Sequence, residues 1–169
     1  VVVRSRAFWL NSMRDQLTGL FNRGFFDESY ARLLAGNPAA PFTVALIDLD
    51  HFKHVNDRYG HAAGDDALRF VASHLKDSFR ESDIITRYGG EEFAVLLQTD
   101  RESAVARLEA WRASLHASAR IPRLSASVGA ASVPEDGSSR GLIDTADRRL
   151  YAAKAAGRNC LVADDPEAA

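Results

Sequence analysis

Apolar positions along this chain follow two periods in turn, one near 3.6 residues and one that alternates or runs unbroken, so helices and strands are interleaved. Val3, Ala7, Leu10 and Leu17 recur at mostly heptad spacing, with Arg4, Arg6, Asn11 and Arg14 off the stripe. That predicts the end of a stalk helix over residues 1–14, which either pairs with a partner helix or packs back on its own domain. A loop around Thr18-Gly19 leads to a helix carrying Phe25, Phe26, Tyr30, Leu33 and Leu34, stopped by Gly36-Asn37-Pro38. Phe42 to Leu49 is a continuous apolar run rich in β-formers, the pattern of a central strand covered on both faces. HFKHVNDRYGHAAGDDAL, from His51 to Leu68, reads as a polar loop punctuated by Gly60 and Gly64, and the helix that follows turns Leu68, Val71, Ala72 and Leu75 inward.

Ile84 to Thr86 and Phe93 to Leu97 read as short buried strands joined at Gly89-Gly90, since glycine accepts the positive φ of tight hairpin turns. Glu102 to Ala117 is an amphipathic helix with Val105, Leu108, Ala110 and Trp111 inward. Leu124 to Val133 alternates small and apolar residues like a strand in which Gly129 permits a bulge or a close approach. Leu142 to Ala156 forms the last helix, with Gly157 as its C-cap, and a short strand from Cys160 to Val162 precedes an acidic tail, residues 164–169, expected to be disordered. This order predicts an α/β sandwich, a mostly antiparallel sheet with helices packed on it.

Composition narrows the partners more than the fold. At 169 residues the chain suits one domain that buries roughly 70% of its unfolded surface. A net charge of −2 gives no broad pull toward a nucleic acid polymer or an anionic membrane, so any anionic ligand must be held by local groups. The single Cys160, expected as a small buried strand residue, excludes an intramolecular disulfide and a cysteine-based zinc site. No apolar run is long enough to cross a bilayer and no signal-peptide pattern opens the chain, which predicts a cytoplasmic domain. The Val-Val-Val start reads as an excised fragment, with upstream sensory or membrane-anchoring segments expected beyond it.

Candidate chemistry collects at the ends of the strands. Asp48 and Asp50 stand two apart at the end of the central strand and share a face if the strand persists, as helix caps or as metal ligands. Glu91 and Glu92 follow the glycine pair, and adjacent carboxylates at the mouth of an apolar hairpin become favourable when a hard cation sits between them and a phosphate. If the two places are neighbours in the sheet, Asp48 and Glu91 converge as oxygen ligands for a magnesium–triphosphate complex. Lys53, Lys154 and Arg158 offer positive charge, the last two at i, i+4 on one face of the last helix. Asn56 and Asp65 suit a guanine, the carboxylate accepting from the base N–H groups and the amide both donating and accepting. Each of these features alone is ordinary for a capped helix end or a solvated loop.

Together they are not ordinary. DQLTGLFNR (15–23), DLDHFKHVNDRYGHAAGDDAL (48–68), RYGGEEF (87–93), SVGAA (127–131) and ADRRLYAAKAAGRN (146–159) resemble, in the same order, the motifs of the GGDEF-domain family of diguanylate cyclases. The resemblance covers residues 15–163 and implies a palm-like sheet of about five strands, similar to nucleotidyl cyclase catalytic domains. It further implies condensation of two GTP into cyclic di-GMP and two pyrophosphates by a homodimer, with two magnesium or manganese ions per active site. By position in these motifs, Asp48, the backbone carbonyl of Leu49 and Glu91 match metal ligands. Glu91 also matches the base for the 3′-hydroxyl, with Glu92 assisting. Asn56, His61 and Asp65 match the substrate-binding positions, and Lys53, Lys154 and Arg158 the phosphate-binding ones. The signature's third residue is Glu91 where aspartate is commoner, and Gly24 follows Asn22-Arg23 where arginine is frequent. Arg80-Glu81-Ser82-Asp83 stands where family members carry an RxxD product-inhibition site for cyclic di-GMP, and arginine and aspartate are suited to guanine edges. A non-catalytic receptor that binds cyclic di-GMP or GTP is the alternative, although such receptors usually lose the signature carboxylates retained here. Another nucleotidyl cyclase of the same fold is disfavoured by Asp65.

Overall fold

A computed structural model describes residues 12–37 and 39–165. Its elements run β1 (Phe21–Asn22), α1 (Arg23–Ala35), β2 (Phe42–Leu49), α2 (Phe52–Tyr59), α3 (His61–Ser78), β3 (Ile84–Arg87), β4 (Glu92–Leu97), α4 (Arg101–Ala117), β5 (Ala126–Val133), a 3-10 turn (Ser139–Gly141), α5 (Leu142–Ala155) and β6 (Leu161–Val162). The strands form one sheet in the order β1-β3-β4-β2-β5-β6. The three inner pairings are antiparallel, but β1 runs parallel to β3 and β6 parallel to β5. The sheet is therefore mixed and six-stranded rather than mostly antiparallel with about five strands. The added strand and the parallel pairings come from two-residue edge strands, too short to carry an alternating pattern in the sequence.

All eight residues of β2 are buried, as a strand covered on both faces must be. Ala45, Ile47 and Leu49 face the layer formed by α2, α3 and α4, where they join Val55, Leu68, Val71, Leu75 and Trp111 in the larger core. Val44 and Leu46 face the opposite way, into a second core with Phe26 and Tyr30 of α1 and Leu142 and Leu150 of α5. Asp48 continues this second parity, so the strand delivers its carboxylate to the side on which α5 packs.

Several local expectations change. The stretch after Asp50 is not a loop but α2, anchored by Phe52 and Val55 at i, i+3, then a break at Gly60 and the start of α3 at His61. Two apolar anchors in eight residues leave too little periodicity to read. The hairpin between β3 and β4 has Arg87 paired with Phe93, but neither Gly89 nor Gly90 takes the left-handed region. The turn is longer than two residues, with the N–H groups of Tyr88 and Gly89 both donating to the Glu92 carbonyl, so no mirror-image turn is needed. Val3, Ala7 and Leu10 of the stalk stripe lie outside the described residues, while Leu17 sits in a turn against the larger core. Ala110 faces solvent. Cys160 is half-buried just before β6, its thiol donating to the Ala153 carbonyl. In the tail, Asp164 pairs with Arg101 and Asp165 with Arg148 and Arg149; residues 166–169 lie outside the described set. Among the described residues no helix is long and apolar enough to cross a membrane.

Candidate active site

The pairing of β2 with β4 sets Asp48 opposite Glu92, and the Leu49 N–H donates to the Glu91 carbonyl at 3.2 Å. The end of the central strand is thus stitched to the residues that leave the glycine turn, the adjacency on which a shared cation site depends. Asp48 is 8% exposed, and its Oδ2 accepts a hydrogen bond from Lys154 Nζ at 2.9 Å. Burial pushes the Glu91 carboxyl above its ordinary range; the charges of Asp48 and Glu92 push the same way, and Lys154 opposes them. Three carboxylates and one ammonium therefore share a small volume at one end of the sheet.

This donor set fits a hard divalent cation. Among the described residues no group of three or more His, Cys, Asp or Glu side chains is placed to hold an ion by itself. Asp48 and Glu91 with the Leu49 carbonyl would fill only part of an octahedron, leaving positions for water and phosphate oxygens as magnesium favours. The Lys154 ammonium already supplies the compensating charge that such paired carboxylates require.

Asp50, the second strand-end acid, does something else. Its two oxygens accept from Ser127 Oγ at 2.6 Å, Ser125 Oγ at 2.7 Å and the Asn159 N–H at 2.9 Å. It ties β2 to β5 and to the turn after α5 rather than sharing a face with Asp48. That turn is unusual: Gly157, Arg158 and Asn159 take φ of 114°, 64° and 47° in succession, and Arg112 grips the Asn159 carbonyl and amide oxygens at 2.9 and 2.6 Å. Because α5 ends at Ala155, Arg158 does not lie with Lys154 on one helix face. It stands exposed past the helix end, while Lys154 reaches back to Asp48. Asp50, Arg112 and Asn159 do not stand out as a unit in the sequence; the signal available is the Ser125-x-Ser127 alternation opposite an acid-ended strand.

Asn56 and Asp65 meet at the junction of α2 and α3. A Cβ on Gly64 would lie 1.9 Å from Asn56 Oδ1, so glycine there lets the Asn56 amide seat beside the first turn of α3, next to Asp65. Asn56 is half-buried, and Lys53, His61 and Asp65 are exposed on the same rim. None of these four side chains forms a hydrogen bond or ion pair with another described residue, so their polar atoms are open to a ligand.

Arg80 and Asp83 part company. Asp83 has a side chain only 4% exposed, and its Oδ2 accepts from the Arg80 backbone N–H at 2.8 Å and from Arg107 at 2.7 Å. The Arg80 side chain lines a cavity of about 450 Å³ with Arg14, Lys76 and Phe21. Arg14 lies over the Phe21 ring at 3.8 Å. Arg14, Phe21 and Lys76 are additions that sequence reasoning missed, because they join Arg80 only through the fold. Asp15 stabilises this end of the sheet: Thr18 donates to it at 2.6 and 2.8 Å and Arg87 at 3.1 Å, which holds its carboxyl below the ordinary range despite burial.

With this geometry in place, comparison with known proteins gives a consistent answer. The family model for "Diguanylate cyclase, GGDEF domain" matches residues 12–160. Diguanylate cyclase DgcS of Shewanella oneidensis is 38% identical over 155 residues, covering 89% of this chain and 52% of that protein. Diguanylate cyclase DgcP of Pseudomonas aeruginosa is 35% identical over 158 residues, covering 89% of this chain and 24% of that protein. The chain thus spans about half the length of one of these relatives and a quarter of the other. The crystal structure of the coiled coil and GGDEF domain of DgcB from Caulobacter crescentus in complex with c-di-GMP superposes with a TM-score of 0.87 at 30% identity, covering 96% of this chain and 93% of that one.

Proposed function

The chain belongs to the GGDEF family of diguanylate cyclases, and on that premise we propose that it condenses two molecules of GTP into cyclic di-GMP with release of two pyrophosphates. The observation that carries this reading is the convergence of Asp48, Glu91 and Lys154 at the end of the β2–β4 pair, beside unpartnered groups suited to guanine and triphosphate. Asp48, the Leu49 carbonyl and Glu91 would hold the divalent cations, two magnesium or manganese ions per site, with Glu92 in support. When bound, the cations lower the pKa of the attacking hydroxyl and neutralise charge building on the α-phosphate.

The chain's own groups do the rest. Asn56 and Asp65 hold the guanine edge, with His61 on the same rim. Lys53, Lys154 and Arg158 hold the triphosphate, Lys154 exchanging its carboxylate partner for phosphate oxygens. Glu91 takes the proton of the 3′-hydroxyl as that oxygen bonds to the α-phosphorus of the other nucleotide and the bond to pyrophosphate breaks. One site holds one GTP, and the product has two such linkages, so two copies of the domain face each other. Product binds through Arg80 in the cavity it shares with Arg14 and Lys76 and restrains the enzyme, with Asp83 shaping the turn. In the longer protein the domain works in the cytoplasm, controlled by a sensory segment ahead of it, with or without a membrane anchor.

Incubation with GTP and magnesium, followed by chromatography of the nucleotides, tests the reading. Cyclic di-GMP should form with a specific activity that rises with protein concentration. Glu91→Gln and Asp48→Asn should each lose at least ~100-fold of that activity, the scale of removing a charge-stabilising group from a transition state, with little change in melting temperature. Near-wild-type turnover by either variant would overturn the mechanism. Cyclic di-GMP binding with no turnover in the unmutated chain would favour a receptor.

A further inference from the structure

The face of α2 that carries Lys53 and Asn56 belongs to the site above; at 100° per residue His54 and Arg58 stand on the opposite face, with His51 immediately ahead of the helix. Between that face and the loop joining α4 to β5 lies a pocket of about 260 Å³. His51, His54, His116, Arg58 and Arg123 all line it. A chain with a net charge of −2 has no general surplus of cations to explain this concentration.

What these groups lack is a counter-charge. Among the described residues the only carboxylate lining the pocket is that of Asp50, and its oxygens are taken by Ser125, Ser127 and the Asn159 N–H. Neither guanidinium makes an ion pair or a hydrogen bond with another described residue, and that of Arg58 lies over the Tyr59 ring at 5.5 Å. The His51 and His54 rings stack on each other at 5.5 Å, and neither imidazole has a hydrogen-bonding partner among the described residues. His51 does this from a left-handed backbone, φ 53°, at the start of α2, a conformation that a side chain pays for in strain. Asp57 stands outside, on the exposed shoulder beside His54 and Arg58, so no acid is free inside. Two guanidinium groups left unneutralised attract an anion, and the histidines that line the same pocket add ring nitrogens that can hydrogen-bond it.

The remaining wall is apolar: Val55, Pro122, Leu124 and the Tyr59 ring. We propose that this pocket is an anion site separate from the nucleotide site, and that it takes a compact phosphomonoester. Arg58, Arg123 and the imidazoles receive the phosphate, and Tyr59 and Pro122 cover its organic part. The two guanidinium groups supply the forked donors that match phosphate oxygens. The volume holds a phosphate with a small ring or chain and excludes a folded macromolecule.

The chain's five histidines give the test its own controls, since three line the pocket while His61 and His74 lie elsewhere. Histidine ring resonances, assigned by single His→Gln variants, are followed at constant pH during titration with inorganic phosphate, with phenyl phosphate, and with chloride at matched ionic strength. Phosphate should move the resonances of His51, His54 and His116 in a saturable way and leave His74 in place, whatever His61 reports of the nucleotide site. Phenyl phosphate should saturate at a severalfold lower concentration, because its ring leaves water against the apolar wall. Both responses should disappear in the Arg58→Gln/Arg123→Gln double variant, whose substituted side chains are exposed and leave the fold intact. Movement no greater than chloride produces, or equal movement in the double variant, would overturn the proposal.

Discussion

Replacing Gly129 by alanine probes the contact that carries α5, and with it Lys154, over the sheet. Gly129 lies in the middle of β5, paired with Leu46 on one side and Val162 on the other. A Cβ there would sit 2.1 Å from the Ala146 carbonyl oxygen, 2.2 Å from the Leu150 nitrogen and 2.8 Å from the Leu150 Cα. All three are backbone atoms, so no side chain can rotate away. Restoring ordinary contact at 3.4 Å moves α5 off the strand by about 1.3 Å. That opens the seam lined by Leu142, Ala146 and Leu150 of the second core. Overpacking of this kind costs about 3 kcal/mol, the upper part of its usual range, because rigid elements must separate. For a domain of this size the melting temperature should then fall by roughly 6–12 °C. The same displacement carries Lys154 away from Asp48, now 2.9 Å apart. Misplacing a charged group by about 1 Å can cost up to about 100-fold in rate. Diguanylate cyclase activity, measured well below the melting transition, should therefore fall by about 10- to 100-fold. Gly141→Ala is the control: it stands at the start of the same helix, at φ −103°, and a Cβ added there would meet nothing within 4 Å. It should leave both readouts near wild type. A Gly129→Ala protein that melts within about 2 °C of wild type would refute the reasoning.

Asp136→Ala should destabilise at neutral pH, by about 2–3 kcal/mol, because it leaves the buried Arg149, held by both Asp136 oxygens at 2.6 and 2.8 Å, with only the half-exposed Asp165 at 3.3 Å and the Ala130 carbonyl at 2.8 Å. Burial alone would raise the Asp136 carboxyl, but the Arg149 bonds and the Ser132 N–H bring it below its ordinary value, so its contribution is present above the unfolded carboxylate range and lost as pH falls through the folded one; melting curves of wild type and variant should converge in acid, and a gap independent of pH would refute the assignment. Asp65→Ala should weaken GTP binding by roughly 1–3 kcal/mol and narrow the preference for GTP over ATP in a binding titration. Arg80→Ala should abolish calorimetric binding of cyclic di-GMP with little effect on melting. Asp83→Ala should lower the melting temperature, since it releases the buried contacts to Arg107 and the Arg80 N–H; equal melting of the two variants would contradict the division between a ligand group and a turn-holding group.

Much of this protein is legible in its sequence because its main signals are local. The unbroken run from Phe42 to Leu49 identifies a central strand, since only a strand covered on both faces removes every second and every intervening side chain from water. The spacing of Leu68, Val71, Ala72 and Leu75 identifies a helix face, and all four are buried. The order of the five motifs identifies the family, and the carboxylates at Asp48, Glu91 and Glu92 point to the proposed cation site before any strand is paired. Gly129 announces a close approach without saying to what. The rest depends on contacts between segments far apart in the chain, for which a one-dimensional pattern has no signal. That Asp48 lies opposite Glu92, with Glu91 bonded through its carbonyl to the next residue of β2, follows from antiparallel register, and that Lys154 reaches Asp48 follows from α5 crossing the sheet at Gly129. Asp50 reads like Asp48 in sequence, yet the fold gives it to Ser127 of the neighbouring strand and Ser125 just before it, and gives Asp48 to Lys154. The two-residue edge strands and the left-handed turn at Arg158 are decided the same way: too few local preferences act on so short a segment, so the long-range hydrogen bonds that pin it set its shape.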